Sequence, residues 1–142
     1  MDLKEAKSKP YFWTCFAFEK YDPNDLHCTH KFLADLSNAD AATVLNAIDE
    51  YFTIVKFEPI NAVFDQVAMF GANKDVRVLK TKAPLVNFHL ELREIIDPFR
   101  KDDFPYSPHV TTAGAFASMK SIELPLVKYC FMRGKEILHS WG

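Results

Sequence analysis

Cysteine is scarce in this chain of 142 residues: Cys15, Cys28 and Cys130 are odd in number, widely spaced and contain no CxxC pair. That excludes a disulfide framework and a zinc ribbon and fits buried, reduced thiols of a cytoplasmic protein. Glycine is also sparse, at four residues, and the composition is neither low-complexity nor disordered. No excess of charge exists, because 17 basic residues face 19 acidic ones for a net charge of -2. A general grip on long nucleic acid is therefore not the main device, although a local basic pocket is compatible with this balance. Long hydrophobic runs are missing too, and Met1 to Pro10 is polar, with no apolar signal core. No membrane is expected as a partner, and the protein is expected to stay in the cytoplasm.

What the chain does have is apolar and aromatic mass. Hydrophobic residues make up 49%, with thirteen Phe, five Tyr and two Trp, enough for one compact domain over residues 1–142 with a real core. Pro10 to Glu19 and Leu26 to Leu33 read as an antiparallel strand pair around the turn Tyr21-Asp22-Pro23-Asn24-Asp25. In the second strand, alternation predicts Leu26, Cys28 and Phe32 on one face and His27, Thr29 and Lys31 on the other. A helix follows, capped by Ser37 or Asn38, with Ala41, Val44, Leu45, Ile48 and Phe52 at helical spacing.

Ala62 to Phe70 and Val76 to Thr81 flank Gly71-Ala72-Asn73-Lys74-Asp75 and predict a hairpin. A second helix is predicted from about Pro84 to Phe99, on a stripe of Leu85, Phe88, Leu92, Ile95 and Phe99. After the polar loop Arg100 to Pro105 comes a strand holding His109, and Leu126 to Met132 and Lys135 to Trp141 close the chain as a hairpin through Arg133-Gly134. Strand, strand, helix, hairpin, helix, strand, hairpin is an α+β order of mainly antiparallel strands. It divides into two rough halves, each with strands, one helix and one histidine motif.

Those motifs are His27-Cys28-Thr29 and His109-Val110-Thr111. Because strand side chains alternate, a spacing of two puts each His and its Thr on one face. Two imidazoles and two hydroxyls on one face form a set suited to acid-base chemistry on a phosphate. Either histidine alone is better read as an ordinary hydrogen-bonded side chain, and the matching threonines favour the functional reading. His27 and His30 also form an HxxH around Cys28, but residues three apart on a strand point to opposite faces, which disfavours a shared metal ion. No metal and no cofactor is expected.

The segments LHCTHKFL and YSPHVTTAG resemble the two signature motifs of the 2H phosphoesterase superfamily, which includes the LigT-like RNA ligases and cyclic phosphodiesterases. The family pattern, histidine, apolar, threonine or serine, apolar, is departed from in the last place, occupied here by His30 and Thr112. The resemblance implies a bilobal α+β fold with two mainly antiparallel sheets and two helices around a central cleft. It also implies a metal-independent phosphodiesterase with His27, Thr29, His109 and Thr111 as the catalytic set. Two histidines would divide the roles of base and acid, and the threonines would bind the non-bridging oxygens.

Tyr11, Trp13, Tyr106 and Tyr129 are candidates to stack on nucleobases, and Lys31 and Arg133 to contact phosphate. The compact chain with its aromatic first strand resembles the small viral members of the superfamily, among them phage anti-CBASS phosphodiesterases. That resemblance implies cleavage of cyclic di- or oligonucleotide messengers in viral counter-defence, in the host cytoplasm. Other readings stay open: a phosphodiesterase for short RNA ends with 2′,3′-cyclic phosphates or for 2′,5′ linkages, a non-catalytic cyclic-nucleotide sponge, and an adaptor with accidental motifs. Oligomeric state is not indicated. Segments 100–106 and 114–121 are the places to expect a lid.

Overall fold

The computed structural model describes residues 11–34, 36–81, 86–99 and 106–142, with the backbone alone for 86–89. Pro10, Pro84, Leu85, the Phe88 side chain and the loop from Arg100 to Pro105 lie outside the described residues. The elements in order are β1 (Phe12–Phe18), β2 (His27–Ala34), α1 (Asn38–Ile54), β3 (Gln66–Phe70), β4 (Val76–Lys80), α2 (Val86–Ile96), β5 (His109–Thr111), β6 (Leu126–Arg133) and β7 (Glu136–Trp141). The fold is α+β, as the sequence pattern predicts. The strands run β3-β4-β5-β2-β1-β6-β7 with every neighbouring pair antiparallel. The two expected sheets are thus joined into one, and between β2 and β5 the register is a single pair, Cys28 with Val110.

Both helices cover one face of this sheet. Ser37 caps α1, its Oγ accepting the Asp40 N–H at 3.1 Å, an arrangement worth about 1 kcal/mol. Ala41, Val44, Leu45 and Ile48 from α1 and Leu92 and Ile96 from α2 are buried against Phe12, Phe16, Phe18, Cys28, Leu79, Val110 and Phe131 of the strands. β3 starts later than the sequence suggests because Ile60 and Phe64 are used elsewhere, in isolated bridges to Leu126 and Ile122. The segment 114–121, a candidate lid, opens with a 3-10 turn whose Phe116 packs on Tyr21.

β1 is buried at every position, so its second face is covered as well. Trp13, Cys15 and Ala17 there form a small apolar cluster with Cys130 and Met132. The segment Tyr21–Asp25 turns back across this face: Pro23 is buried, and the Asn24 side-chain amide donates to the Lys135 carbonyl at 2.9 Å.

β2 breaks the expected alternation. Thr29 pairs with Cys15 and Lys31 with Thr14, which leaves His30 as an extra residue, a β-bulge. His30 and Lys31 both turn to the helix side and are buried, while Phe32 emerges on the opposite face, 49% exposed. Lys31 therefore does not share a face with Thr29, and Phe32 does not pack with Cys28. The Lys31 ammonium instead pairs with Asp97 at 2.9 Å, and Asp97 also accepts from Arg93 at 3.2 Å. Partial burial would raise the Asp97 carboxyl, but the bonds from Lys31 and Arg93 outweigh it and hold the group below the usual carboxylate range. Removing one member of a buried pair leaves the other charge poorly compensated, at a cost on the order of 3 kcal/mol. Asp97→Ala is accordingly expected to lower the urea midpoint strongly, and Lys31→Met combined with Asp97→Leu to recover most of the loss. An Asp97→Ala protein as stable as the parent would show that the pair does not hold α2 to the bulge.

Candidate functional site

Pairing of Cys28 with Val110 in antiparallel register sets His27 opposite Thr111 and Thr29 opposite His109. Directly opposed residues project from the same side of a sheet. Since Cys28 and Val110 point into the helix-side core, all four flanking side chains project from the other face. The two histidines sit on a diagonal of this square, where neighbouring residues are about 7–8 Å apart along the backbone.

Each ring is tied by Nδ1 to the backbone. His27 Nδ1 lies 2.6 Å from the Pro23 carbonyl oxygen, and His109 Nδ1 lies 2.9 Å from that of Ser107. A carbonyl only accepts, so each Nδ1 carries the hydrogen and Nε2 is the atom left to exchange a proton. Burial lowers the His27 pKa; the Pro23 carbonyl works against this and the nearby His109 adds to it. His27 is thereby held neutral at a pH where an ordinary histidine begins to charge.

Other contacts hold this square in place. Tyr106 donates its hydroxyl to the Thr29 carbonyl at 2.8 Å and touches the Cys28 sulfur at 3.6 Å. Burial pushes the Cys28 thiol up to about 11, which keeps it an inert packing group. Thr112 is buried and its hydroxyl accepts from Arg77 at 2.7 Å. His30 is buried with Nδ1 2.8 Å from the Tyr129 hydroxyl, which donates to Thr14. Both departures from the motif pattern thus serve packing. His27 packs in a tilted arrangement against Trp13 while His30 meets Phe16 in the core, so the HxxH is split between faces. Among the described residues no group of three or more His, Cys, Asp or Glu side chains is placed to hold a metal.

Two cavities meet at Thr29. One, of about 250 Å³, is lined by Tyr11, Trp13, His27, Thr29 and Phe32. The other, of about 940 Å³, includes His109, Tyr106, Ser107, Met69, Phe70 and Lys74 in its lining. Of the residues predicted to bind substrate, Tyr11, Trp13 and Tyr106 are therefore brought to the motifs. Lys31 is carried to the other face by the bulge. Arg133 also lies away from them, since it pairs with Phe12, whose side chain is in the helix-side core, and it bonds Glu136 at 3.1 Å. Tyr129 is buried and offers no stacking surface.

The sequence pattern did not single out Phe32, Phe70 and Lys80. Phe70 meets the His109 ring edge-on at 4.6 Å, and Lys80 lies opposite His109 with its ammonium 5.9 Å from the Phe70 ring. Lys80 was readable in principle as the end of a strand leading back to the motif, but only the pairing with β5 reveals it.

No family model matches the chain, and no curated protein matches its sequence. The fold is similar to that of E. coli LigT. Crystal structures of E. coli LigT are similar at 14% identity both with 3′-AMP, at TM-score 0.66, and in the apo form, at 0.63; in each, the match covers 94% of this chain and 98% of LigT. A further phosphoesterase structure matches at TM-score 0.60 and 13% identity, over 93% of this chain and 97% of its own. At such identity the likeness speaks for the fold.

A direct expectation concerns His27. Its NMR titration midpoint should fall below the 6.5 of an ordinary histidine. Asn24→Ala should release the segment that carries Pro23, admit water to the ring and move the midpoint up toward that value. An unchanged midpoint in the variant would show that this segment does not set the state of His27.

Proposed function

We propose that the chain is a metal-independent phosphodiesterase acting on nucleotides, with His27, Thr29, His109 and Thr111 as its catalytic set. The observation that carries this is the pair of Nδ1 anchors: both imidazoles are fixed by backbone carbonyls with Nε2 left for proton exchange, on neighbouring strands and the same face of the sheet. A binding module has no need of two such rings.

In the proposed reaction His27, held neutral, takes the proton of a ribose 2′-hydroxyl. That oxygen attacks phosphorus, the bond to the leaving 5′-oxygen breaks, and His109 supplies the proton that the leaving oxygen needs. Thr29 and Thr111 donate to the non-bridging oxygens as charge builds on them. Lys80, across from His109, adds positive charge on that side.

E. coli LigT has been crystallised with 3′-AMP, NADP+ and ATP, which supports a nucleotide as the ligand class here. Among nucleotides we favour cyclic di- and oligonucleotides, the messengers that a viral counter-defence enzyme would destroy. The support is the pair of aromatic-lined cavities flanking the motifs, which suits a phosphate with a base on each side.

His27→Ala and His109→Ala are each expected to lower turnover by about 10²–10⁴-fold, and Thr29→Val by about 10²-fold. EDTA should leave the rate unchanged. Cyclic dinucleotides, cyclic trinucleotides and RNA with 2′,3′-cyclic ends, incubated separately and resolved by chromatography, identify the substrate. Full activity in the His27→Ala, His109→Ala double variant would overturn the assignment.

A further inference from the structure

We propose that the cleft formed by Tyr11, Trp13 and Phe32 holds the base of the nucleoside whose 2′-hydroxyl attacks, and that the leaving nucleoside occupies the larger cavity beside His109. This rests on the phosphodiesterase assignment and adds a polarity to it.

The first ground is the surface itself. Tyr11 and Phe32 are each 49% exposed, with ring centroids 5.2 Å apart, beside the buried Trp13, whose ring meets that of His27 at a tilt with centroids 4.6 Å apart. Exposed aromatics next to a candidate phosphate site are the usual platform for bases. Phe32 is there because of the bulge at His30: without the extra residue, alternation would bury Phe32 and present Lys31 in its place. The chain thus sets a hydrogen-bonded histidine into the core and puts an aromatic ring, not a charge, next to His27.

The second ground is size. The cleft, at about 250 Å³, is below the range of about 300–1,000 Å³ that takes drug-sized ligands and suits one planar base. The cavity beside His109, at about 940 Å³, is near the top of that range and is lined by Phe70, Met69 and Lys74 among others. It accommodates a nucleoside with further chain attached. The third ground is which ring touches which space. Of these two spaces, His27 lines the aromatic cleft and His109 the larger cavity. A base must reach the attacking hydroxyl and an acid the leaving oxygen, so the two nucleosides sort to the sides of their own proton carriers.

The test uses dinucleoside monophosphates in which either the upstream or the downstream base is removed. Loss of the upstream base is expected to lower kcat/KM by about ten- to a hundredfold, while loss of the downstream base changes it less. In Phe32→Ala the upstream penalty should largely vanish, with circular dichroism unchanged. Equal penalties, or a larger downstream one, would overturn the polarity. A second measurement needs no turnover: nucleoside 3′-monophosphates should change the fluorescence of Trp13 more than 5′-monophosphates, and Trp13→Phe, with Trp141 as the remaining indole, should abolish the change. If no dinucleotide is cleaved, the fluorescence experiment still decides whether the cleft takes a base: no response to the 3′-monophosphate overturns the proposal.

Discussion

One backbone pairing, Cys28 with Val110, organises this molecule. Among the described residues it is the only register pair between the half of the sheet made of β2-β1-β6-β7 and the half made of β3-β4-β5. Antiparallel geometry converts it into a square, because fixing the middle residue of each tripeptide fixes the partners of the flanking residues. Shifting β5 by one residue would send His109 and Thr111 into the helix-side core and bring Val110 out. The register is guarded by burial, since Cys28 and Val110 are fully enclosed. It is guarded again by Tyr106, which reaches across from the residues before β5 to the Thr29 carbonyl. Arg77 holds the far end through Thr112.

Around this seam, the polar groups of the interior are satisfied in chains. His30, Tyr129 and Thr14 are linked in succession, and Thr14 accepts the Lys31 N–H that the bulge takes out of the ladder. A histidine in an apolar place is costly unless its nitrogen is bonded, and here Tyr129 supplies the partner. The same bulge turns the Lys31 ammonium inward, and Asp97, partly exposed just past the end of α2, provides its anion. A helix, a bulge and the strand carrying the first motif are thereby coupled through charge.

Much of this was legible in the sequence. The order of elements, the Ser37 cap, the continuous apolar run of β1 and the shared face of His27 and Thr29 follow from periodicity and side-chain chemistry that act locally. What was not legible depends on pairing between distant segments. Alternation counted through His30 places Lys31 beside Thr29. Only the register against Cys15 and Thr14 reveals the extra residue. The joining of two expected sheets into one, the arrival of Phe70 and Lys80 next to His109, and the folding of Pro23 back onto His27 are likewise long-range facts. Arg133, read as a phosphate contact, sits on the helix-side face because β1 and β6 pair Phe12 with it.

The bulge makes the length of β2 matter as much as its composition. A strand stores a parity, and His30 is where that parity is reset. Deleting one residue there would transpose inside and outside for the residues that follow, bringing a lysine to the open face and hiding a phenylalanine. Substitutions in this segment change one side chain at a time, whereas a single codon lost exchanges the whole set. For that reason, the spacing between Thr29 and Phe32, three residues where regular alternation would use two or four, is as much a part of the site as the residues themselves.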